Sequence, residues 1–435
     1  MPLPIDIMDY ALGPYLNLFR ACFTKPQWQH FVTVLLALMQ CAEQRTLSGL
    51  LRKVAGVGTR VDGLSHFFKR SPWPTARLVQ RWWEHYRQVV GALVVAEHAR
   101  QRALRPKRRS RPRKTVVTGF LIVDDSTHEK RKGKKMEGLG RHYSSTAKKP
   151  VTGHSLFVSL YVLLGRRCPL EPQLYRQKSV CDREKVPFQS KIDLAAEVIR
   201  TFAPVADTQT HVLMDSWYTC RRLWRAALGR GWALTGGLKS NRKVRINDPE
   251  HGRVYRSLAT YTATLSADDF TAVAWPHADG SARPVFAHLI KTFVKKLGAC
   301  QVLVVREHSD QPLAYARFWA TSELAADLTT VVSWAAQRWT IEQFIADVKE
   351  EFGTDHYQIR SAIGIVRFWH LAFLGYLYLE EERQKRPGAP SEPPLTIGQT
   401  RSWQQKRHQL LLLDWIGARY ADGLTSEQID RLLVA

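Results

Sequence analysis

The chain has 435 residues, of which 45% are hydrophobic, and this composition predicts a globular protein with a sizeable core rather than a disordered chain. Its formal net charge is +25, so we expect an anionic partner, most often nucleic acid. A protein that binds other polyanions at its surface is the alternative. The longest apolar stretch, residues 31–42, is too short to span a bilayer, so no membrane association is expected.

The cysteines are widely spaced, with no CxxC pair and no Cys/His cluster, and this pattern disfavours a zinc site. They are Cys22, Cys41, Cys168, Cys181, Cys220 and Cys300. Since no secretory leader is recognisable, we expect reduced thiols and a cytoplasmic location.

Residues 1–104 predict a helical domain. Residues 28–43 read as one helix, Thr46 as the cap of a short second helix, and residues 71–75 as a stop followed by a new start. A long amphipathic helix follows, with apolar residues three and four apart. Short helices separated by turns are typical of helix-turn-helix DNA-binding heads, although a plain helical packing domain fits this segment equally well.

Residues 105–115 predict an extended basic linker, because they contain no acidic residue and two prolines. Such a segment can follow the phosphates of a nucleic acid, although a solvated linker without a specific role is the alternative. The candidate phosphate contacts are Arg108, Arg109 and Arg111.

From residue 116 the apolar period becomes that of strands. The predicted elements of residues 116–239 are strands at 116–123, 153–164 and about 169–175, a helix at 191–203, a strand at 212–214, a helix through 221–227 and a strand at 233–238. Three strands, a helix, a strand, a helix and a strand is the order expected of an RNase H-like α/β core.

The rest of the chain predicts an interruption and then the end of that core. Residues 240–330 are rich in short strand candidates and predict a β-rich insertion, whereas residues 331–382 return to helical periodicity. Within them, residues 362–382 are apolar on most faces, which predicts a buried helix. Residues 383–435 predict a linker and a helical C-terminal tail.

Three acidic residues occur in settings that suit metal binding. Asp125 ends one apolar run, Asp215 ends another, and Glu342 lies on a predicted helix. The carboxyl ends of strands meet in one crevice of an α/β sheet, and such carboxylates can hold two divalent ions for phosphodiester chemistry. Each acid taken alone is more often a turn, cap or ion-pair residue.

The first acid has an acidic neighbour, Asp124. Strand alternation directs Asp124 and Asp125 to opposite faces of the sheet, so only one of them should bind metal. We favour Asp125, because it directly precedes Ser126 and Thr127.

Cations accompany the acids. Arg338, Glu342 and Lys349 share one face of the predicted helix, so Glu342 is predicted to complete the metal site while Arg338 and Lys349 bind phosphates; a solvent-facing row of salt bridges is the alternative. A basic segment follows the first acid and is predicted to bind phosphates, unless it is an ordinary exposed hairpin. Its cations are Lys130, Arg131, Lys132, Lys134 and Lys135.

These residues resemble the bacterial insertion-sequence DDE transposases. Residues 337–344 are similar to the third-acid helix of that family's Tyr-Arg-Glu-Lys signature, with Arg338, Glu342 and Lys349 at its last three positions. Residues 125–127 and 215–218 resemble the settings of the first two acids, and residues 45–49 and 67–73 resemble the family's N-terminal head more weakly. The signature tyrosine is replaced here by Ala335, with Trp334 beside it.

The resemblance implies an enzyme of the bacterial cytoplasm and nucleoid that binds the inverted repeats of its own element in double-stranded DNA, cuts there and joins the ends to a target. It further implies Mg²⁺, with Mn²⁺ as a substitute, and a homodimer on DNA. In the insertion, Trp275 and Trp319 are candidates to stack on a displaced base, although each is more often a buried sheet residue. The rival hypotheses are a non-catalytic DNA-binding protein derived from a transposase and a structure-selective RNase H-like nuclease.

Overall fold

The computed structural model describes residues 3–4, 12–55, 58–104, 115–144, 146–248, 250–277, 280–386 and 394–434, and every structural statement below concerns these residues. The predicted basic linker with Arg108, Arg109 and Arg111 lies outside the described residues.

The N-terminal part is helical, as predicted, with a two-strand parallel pair beside it. Its elements are β1 (Leu3–Pro4), α1 (Leu12–Asn17), α2 (Lys25–Gln40), α3 (Leu47–Leu51), β2 (Val54–Ala55), α4 (Val61–Lys69) and α5 (Thr75–Ala103). The Thr46 hydroxyl accepts the backbone N–H of Gly49, which confirms the predicted cap of α3. Helix α4 ends before the two prolines of residues 71–75 and α5 begins after them, which confirms the predicted stop and start.

A large mixed sheet forms the centre of the molecule. Its first part contains β3 (Thr118–Glu129), β4 (Gly140–Ser144), β5 (Lys149–Leu163), β6 (Arg166–Pro169), β7 (Gln173–Tyr175), α6 (Lys178–Glu184), α7 (Lys191–Thr201), β8 (Gln209–Met214), α8 (Arg221–Gly229) and β9 (Ala233–Leu238). Strand β3 pairs antiparallel with β5 and parallel with β8, and β8 pairs parallel with β9. The predicted α/β class and the predicted succession of core strands and helices are confirmed, except that two short strands, β6 and β7, stand where one strand was predicted, and β4 and α6 are additional elements.

The predicted insertion is rich in strands. It contains β10 (Lys243–Asp248), β11 (Gly252–Ser257), α9 (Leu258–Thr262), β12 (Thr271–Pro276), β13 (Ala282–Val294), β14 (Gly298–Arg306) and β15 (Arg317–Thr321). Strand β15 pairs antiparallel with β9. The insertion therefore continues the core sheet at its edge instead of forming a separate layer.

Helices follow the sheet in the C-terminal part of the chain. They are α10 (Leu328–Gln337), α11 (Thr340–Glu350), α12 (Ala362–Gln384), α13 (Ile397–Ala421) and α14 (Ser426–Val434). Helix α12 is long and apolar enough to cross a bilayer, but 89% of its most apolar window is buried inside the protein. It is the buried core helix that the sequence predicts.

The N-terminal helices share one hydrophobic core with the sheet and α12. The Tyr15 hydroxyl donates to the carbonyl of Leu374 at 2.9 Å, and the Arg367 guanidinium donates to the carbonyls of Phe68 and Trp73 at 3.0 Å each. These buried bonds join residues 294 to 359 positions apart in the chain. The helical head and the sheet are thus packed as one body, and a DNA-binding role of the head stays a prediction.

Candidate active site

Two acidic residues meet where the parallel strands β3 and β8 separate. Val123 is paired with Met214, so the next residues, Asp124 and Asp215, lie side by side. Strand β8 ends there, but β3 continues to Glu129 because it stays paired with the long strand β5. The predicted end of the first strand at Val123 is therefore wrong, and the first acidic pair lies inside β3.

Asp124 faces the helices α10 and α11. Its side of β3 carries Phe120, whose ring contacts His211 at 5.9 Å between centroids, and His211 in turn packs on Trp334 of α10 at 4.3 Å. The Arg338 guanidinium lies 3.7 Å from the Asp124 carboxylate and also forms a hydrogen-bonded ion pair with Glu342. Arg338 thus links Asp124 to Glu342, and Asp215 adjoins Asp124.

The electrostatics of this face show an excess of negative charge. Burial, and after it the charge of the neighbouring Asp215, raise the pKa of Asp124 to about 7 against the opposing charge of Arg338. Carboxylates that are held close together and shielded from water repel one another, and this costs free energy unless a cation lies between them. The donor set is all oxygen, which is the set that Mg²⁺ and Mn²⁺ prefer, so the side chains suit a divalent ion by their chemical type.

Asp125 faces the other side of the sheet, which confirms the predicted alternation. Its carboxylate forms an ion pair with Lys191 of α7 and accepts hydrogen bonds from the Tyr218 hydroxyl at 2.9 Å and from Ser155 Oγ at 3.4 Å. Burial and the charge of Asp125 raise the pKa of Tyr218, so this phenol stays a neutral donor. Each oxygen of Asp125 therefore has a donor.

Lys191 and Tyr218 are site neighbours that the sequence analysis missed. The Asp215 carboxylate accepts the backbone N–H groups of Trp217 and Tyr218, both at 2.9 Å. An aspartate commonly closes a turn in this way, so the sequence Asp-Ser-Trp-Tyr could have indicated that Tyr218 lies beside the acids. Lys191 lies 66 residues from Asp125 in the chain, and no local pattern connects the two.

Comparison with known protein families identifies the chain. A family model described as DDE superfamily endonuclease matches residues 18–259, more than half of the chain. The protein is a DDE superfamily endonuclease. A second model, described as transposase DDE domain, matches residues 189–378. A search of curated proteins found no match.

The two matched ranges together contain every acid of the site. Asp124, Asp125 and Asp215 lie in the first range, and Asp215 and Glu342 lie in the second. The family makes DNA the substrate of this endonuclease and supports a transposase-type function; its members generally use divalent metal ions. In the described residues, no group of three acidic, histidine or cysteine side chains is arranged to hold an ion, and the Glu342 carboxylate is engaged by Arg338 instead.

The predicted third-acid helix of this endonuclease is broken at Arg338. Helix α10 ends at Gln337 and α11 begins at Thr340, with a tight turn in which the Trp339 N–H donates to the carbonyl of Ala336 at 3.0 Å. The Arg338–Glu342 contact survives this break. Lys349 lies further along the same side, and its ammonium group donates to the carbonyl of Thr127 at 3.4 Å. Arg338 and Lys349 therefore both contact β3, and Glu342 is held beside it by Arg338.

The position of the signature tyrosine serves packing. Ala335 is buried in a small apolar cluster with Trp275 and Trp319 of the insertion, and Trp334 packs on His211. Trp334 is therefore a packing residue over β8. Trp275 and Trp319 are 7% and 8% exposed and lie under the Arg317 guanidinium, which fits the interpretation of both as buried sheet residues.

An open groove of about 1000 Å³ adjoins Arg338. It is bounded by the turn between α10 and α11, by the insertion and by the end of α12. The groove is lined by several arginines, namely Arg167, Arg283, Arg317, Arg338, Arg383 and Arg386. Trp339, which is 55% exposed, lies at its wall.

The basic segment after the first acid divides into one buried and several exposed cations. Lys130 is only 9% exposed; its ammonium group lies 3.5 Å from the centre of the Tyr357 ring and donates to the carbonyls of Asp355 and Tyr357. This geometry does not fit the predicted phosphate contact and makes Lys130 an anchor of the loop. The exposed members, beside an open depression of about 840 Å³, are Arg131, Lys132, Lys134 and Lys135.

Proposed function

We propose that this DDE endonuclease is an insertion-sequence transposase that binds the terminal inverted repeats of its element, cleaves the DNA there and joins the ends to a target. One observation carries the proposal. Asp124 and Asp215 adjoin at the separation of two parallel strands, and Arg338 connects Asp124 with Glu342.

In this proposal Asp124, Asp215 and Glu342 hold Mg²⁺, or Mn²⁺ in its place. Divalent ions held by these carboxylates would supply activation of the attacking oxygen and stabilisation of the leaving oxygen of the phosphodiester. The sequence favours Asp125 as the first metal-binding acid, because it directly precedes Ser126. We prefer Asp124, because it contacts Arg338 while Asp125 is bound by Lys191, Tyr218 and Ser155.

The residues around the acids position the DNA. Arg338 and Lys349 border the acid centre, and exposed cations of the basic loop extend the positive surface beyond it. Guanidinium and ammonium groups bind phosphates without reading the base sequence. The proposed phosphate contacts are Arg338, Lys349, Arg131, Lys132, Lys134 and Lys135, with Arg108, Arg109 and Arg111 of the linker added from the sequence. A homodimer on two DNA ends is proposed on the family resemblance alone.

The deciding experiment is cleavage of a duplex that carries the repeats flanking the gene, in Mg²⁺, by the wild type and by Glu342→Gln. We expect the wild type to cut at the repeat ends and the variant to bind the same duplex without cutting. Cleavage by Glu342→Gln would remove Glu342 from the proposed centre. A duplex of scrambled sequence is the control for specificity.

A non-catalytic DNA-binding protein is the second candidate, and the replacement of the signature tyrosine by Ala335 favours it. It predicts that the wild type binds the repeats and cuts nothing in any divalent metal. A structure-selective nuclease would instead cut branched DNA without preference for the repeat sequence. A branched duplex of scrambled sequence tests this, because only such a nuclease would cut it.

A further inference from the structure

Arg338 occupies an unusual position, since it lies between two carboxylates that belong to different parts of the fold. One nitrogen of its guanidinium forms the ion pair with Glu342 of α11, and another lies 3.7 Å from Asp124 of β3. The arginine side chain is 17% exposed, so it is held between these partners rather than free in solvent. The turn that separates α10 from α11 places it there.

The acid centre needs a positive charge even before any metal binds. Asp124 and Asp215 lie side by side, and Asp124 is largely shielded from water. Arg338 provides that charge, and in doing so it holds the Glu342 carboxylate. The residues that would hold a metal ion are therefore partly committed to a cation that belongs to the protein.

Arg338 is also one of the residues that line the arginine-lined groove. A DNA phosphate in that groove would offer the guanidinium a bidentate partner in exchange for its separate contacts with Asp124 and Glu342. The groove beside Arg338 is open and holds about 1000 Å³, so a phosphate can approach the guanidinium there.

We propose that Arg338 is an exchangeable internal cation, which neutralises Asp124 and Glu342 in the free enzyme and moves to a DNA phosphate when DNA binds, so that the acids become available to the metal. This inference rests on the proposed metal-dependent function and adds a coupling to it. DNA binding and metal binding strengthen each other, and by linkage the factor is the same in both directions. The device favours metal binding by enzyme that already holds DNA.

The first test measures Mn²⁺ binding to the full-length protein without DNA, by the loss of the free-ion signal in electron paramagnetic resonance. Removing a charge about 4 Å from carboxylates is a large electrostatic change, so Arg338→Gln should bind Mn²⁺ at least about tenfold more tightly than the wild type. Arg338→Lys keeps the charge and should remain near the wild type. Arg222→Gln removes a surface arginine that pairs with Asp193 and should change nothing.

The second test repeats the titration with a short duplex of random sequence. DNA should tighten Mn²⁺ binding by the wild type several-fold, and most of this gain should be absent in Arg338→Gln, because its acids are already released. Equal or weaker Mn²⁺ binding by Arg338→Gln, with Mn²⁺ bound by the wild type, would overturn the exchange and leave the proposed function intact. Absence of Mn²⁺ binding in both proteins, with and without DNA, would overturn the metal centre and the exchange together.

Discussion

Two neighbouring residues of β3 illustrate opposite uses of the same side chain. Asp124 faces α10 and α11, adjoins Asp215 and shares Arg338 with Glu342. Asp125, the next residue, faces α7 and has a lysine, a phenol and a serine as donors. One face of the strand therefore has more carboxylates than cations, and the other is balanced.

The two faces of β3 therefore have different roles: one carries the candidate metal ligands, and the other carries residues that stabilise the fold. A carboxylate whose oxygens already have fixed donors is a poor ligand for an incoming ion, because those bonds must break first. A carboxylate crowded by another acid gains from a new cation. We therefore assign the metal to the Asp124 face and a supporting role to the Asp125 face, and the following predictions test that division.

The largest effect is expected from the two asparagine variants at these positions. Asp124→Asn should lower the rate of repeat-end cleavage by about 10³-fold or more, the scale of losing one member of a group that acts as a unit. Asp125→Asn keeps one acceptor oxygen for the Tyr218 hydroxyl and loses the oxygen that accepts from Lys191 and Ser155, so cleavage should fall much less than in Asp124→Asn. Single-turnover cleavage in Mg²⁺ measures both rates; a loss confined to Asp125→Asn would show that the sequence motif, and not these contacts, identifies the first acid.

Substitutions on the Asp125 face of β3 should change the stability of the protein. Lys191→Met leaves the Asp125 carboxylate without its cation in a partly buried position, so the free energy of unfolding should fall by about 2 kcal/mol. Chemical denaturation measures it. Lys178→Met, at the start of α6, removes an equal charge and serves as the control. Unchanged stability of Lys191→Met would mean that the Asp125 face is not held together by this ion pair.

A smaller effect is expected at Asp347, a buried carboxylate that lies outside the Asp124–Asp215 pair. Burial raises the pKa of Asp347 on α11 to about 7, with Arg167 opposing and Glu380 adding to the shift. The folded state then binds more protons than the unfolded state between about pH 4 and 7, so stability falls as the pH rises through this window. Asp347→Asn should flatten that slope by an amount on the order of 1–2 kcal/mol between the two ends. Denaturation at several pH values shows the slope, and an identical slope in the variant would contradict the shift.

Much of the fold was predictable from local patterns. The Thr46 cap, the proline stop before α5, the buried helix α12 and the order of core strands all follow from short-range signals. The joining of β15 to β9 did not, because strand partners distant in the chain leave no local trace.

The site was predictable in type and less so in geometry. Asp215, Glu342 and Arg338 were singled out by their settings and spacing, and the structure brings Arg338 to Glu342 and places Asp215 beside Asp124, while their role in catalysis stays a prediction. The break of the helix at Arg338 has no glycine or proline to announce it. The choice between Asp124 and Asp125 depended on which face of β3 the helices α10 and α11 cover, and that is a property of the packed molecule.

The most direct measurement of the central claim is a change of metal preference. A thiolate binds Mn²⁺ better than Mg²⁺ relative to a carboxylate, because it is the softer ligand. We predict that Asp124→Cys cleaves the repeat-end duplex in Mn²⁺ but not in Mg²⁺, whereas Asp125→Cys shows the same relative activity in both metals as the wild type. Rescue of Asp125→Cys by Mn²⁺, with Asp124→Cys unaffected by the choice of metal, would contradict the assignment of the metal to the Asp124 face.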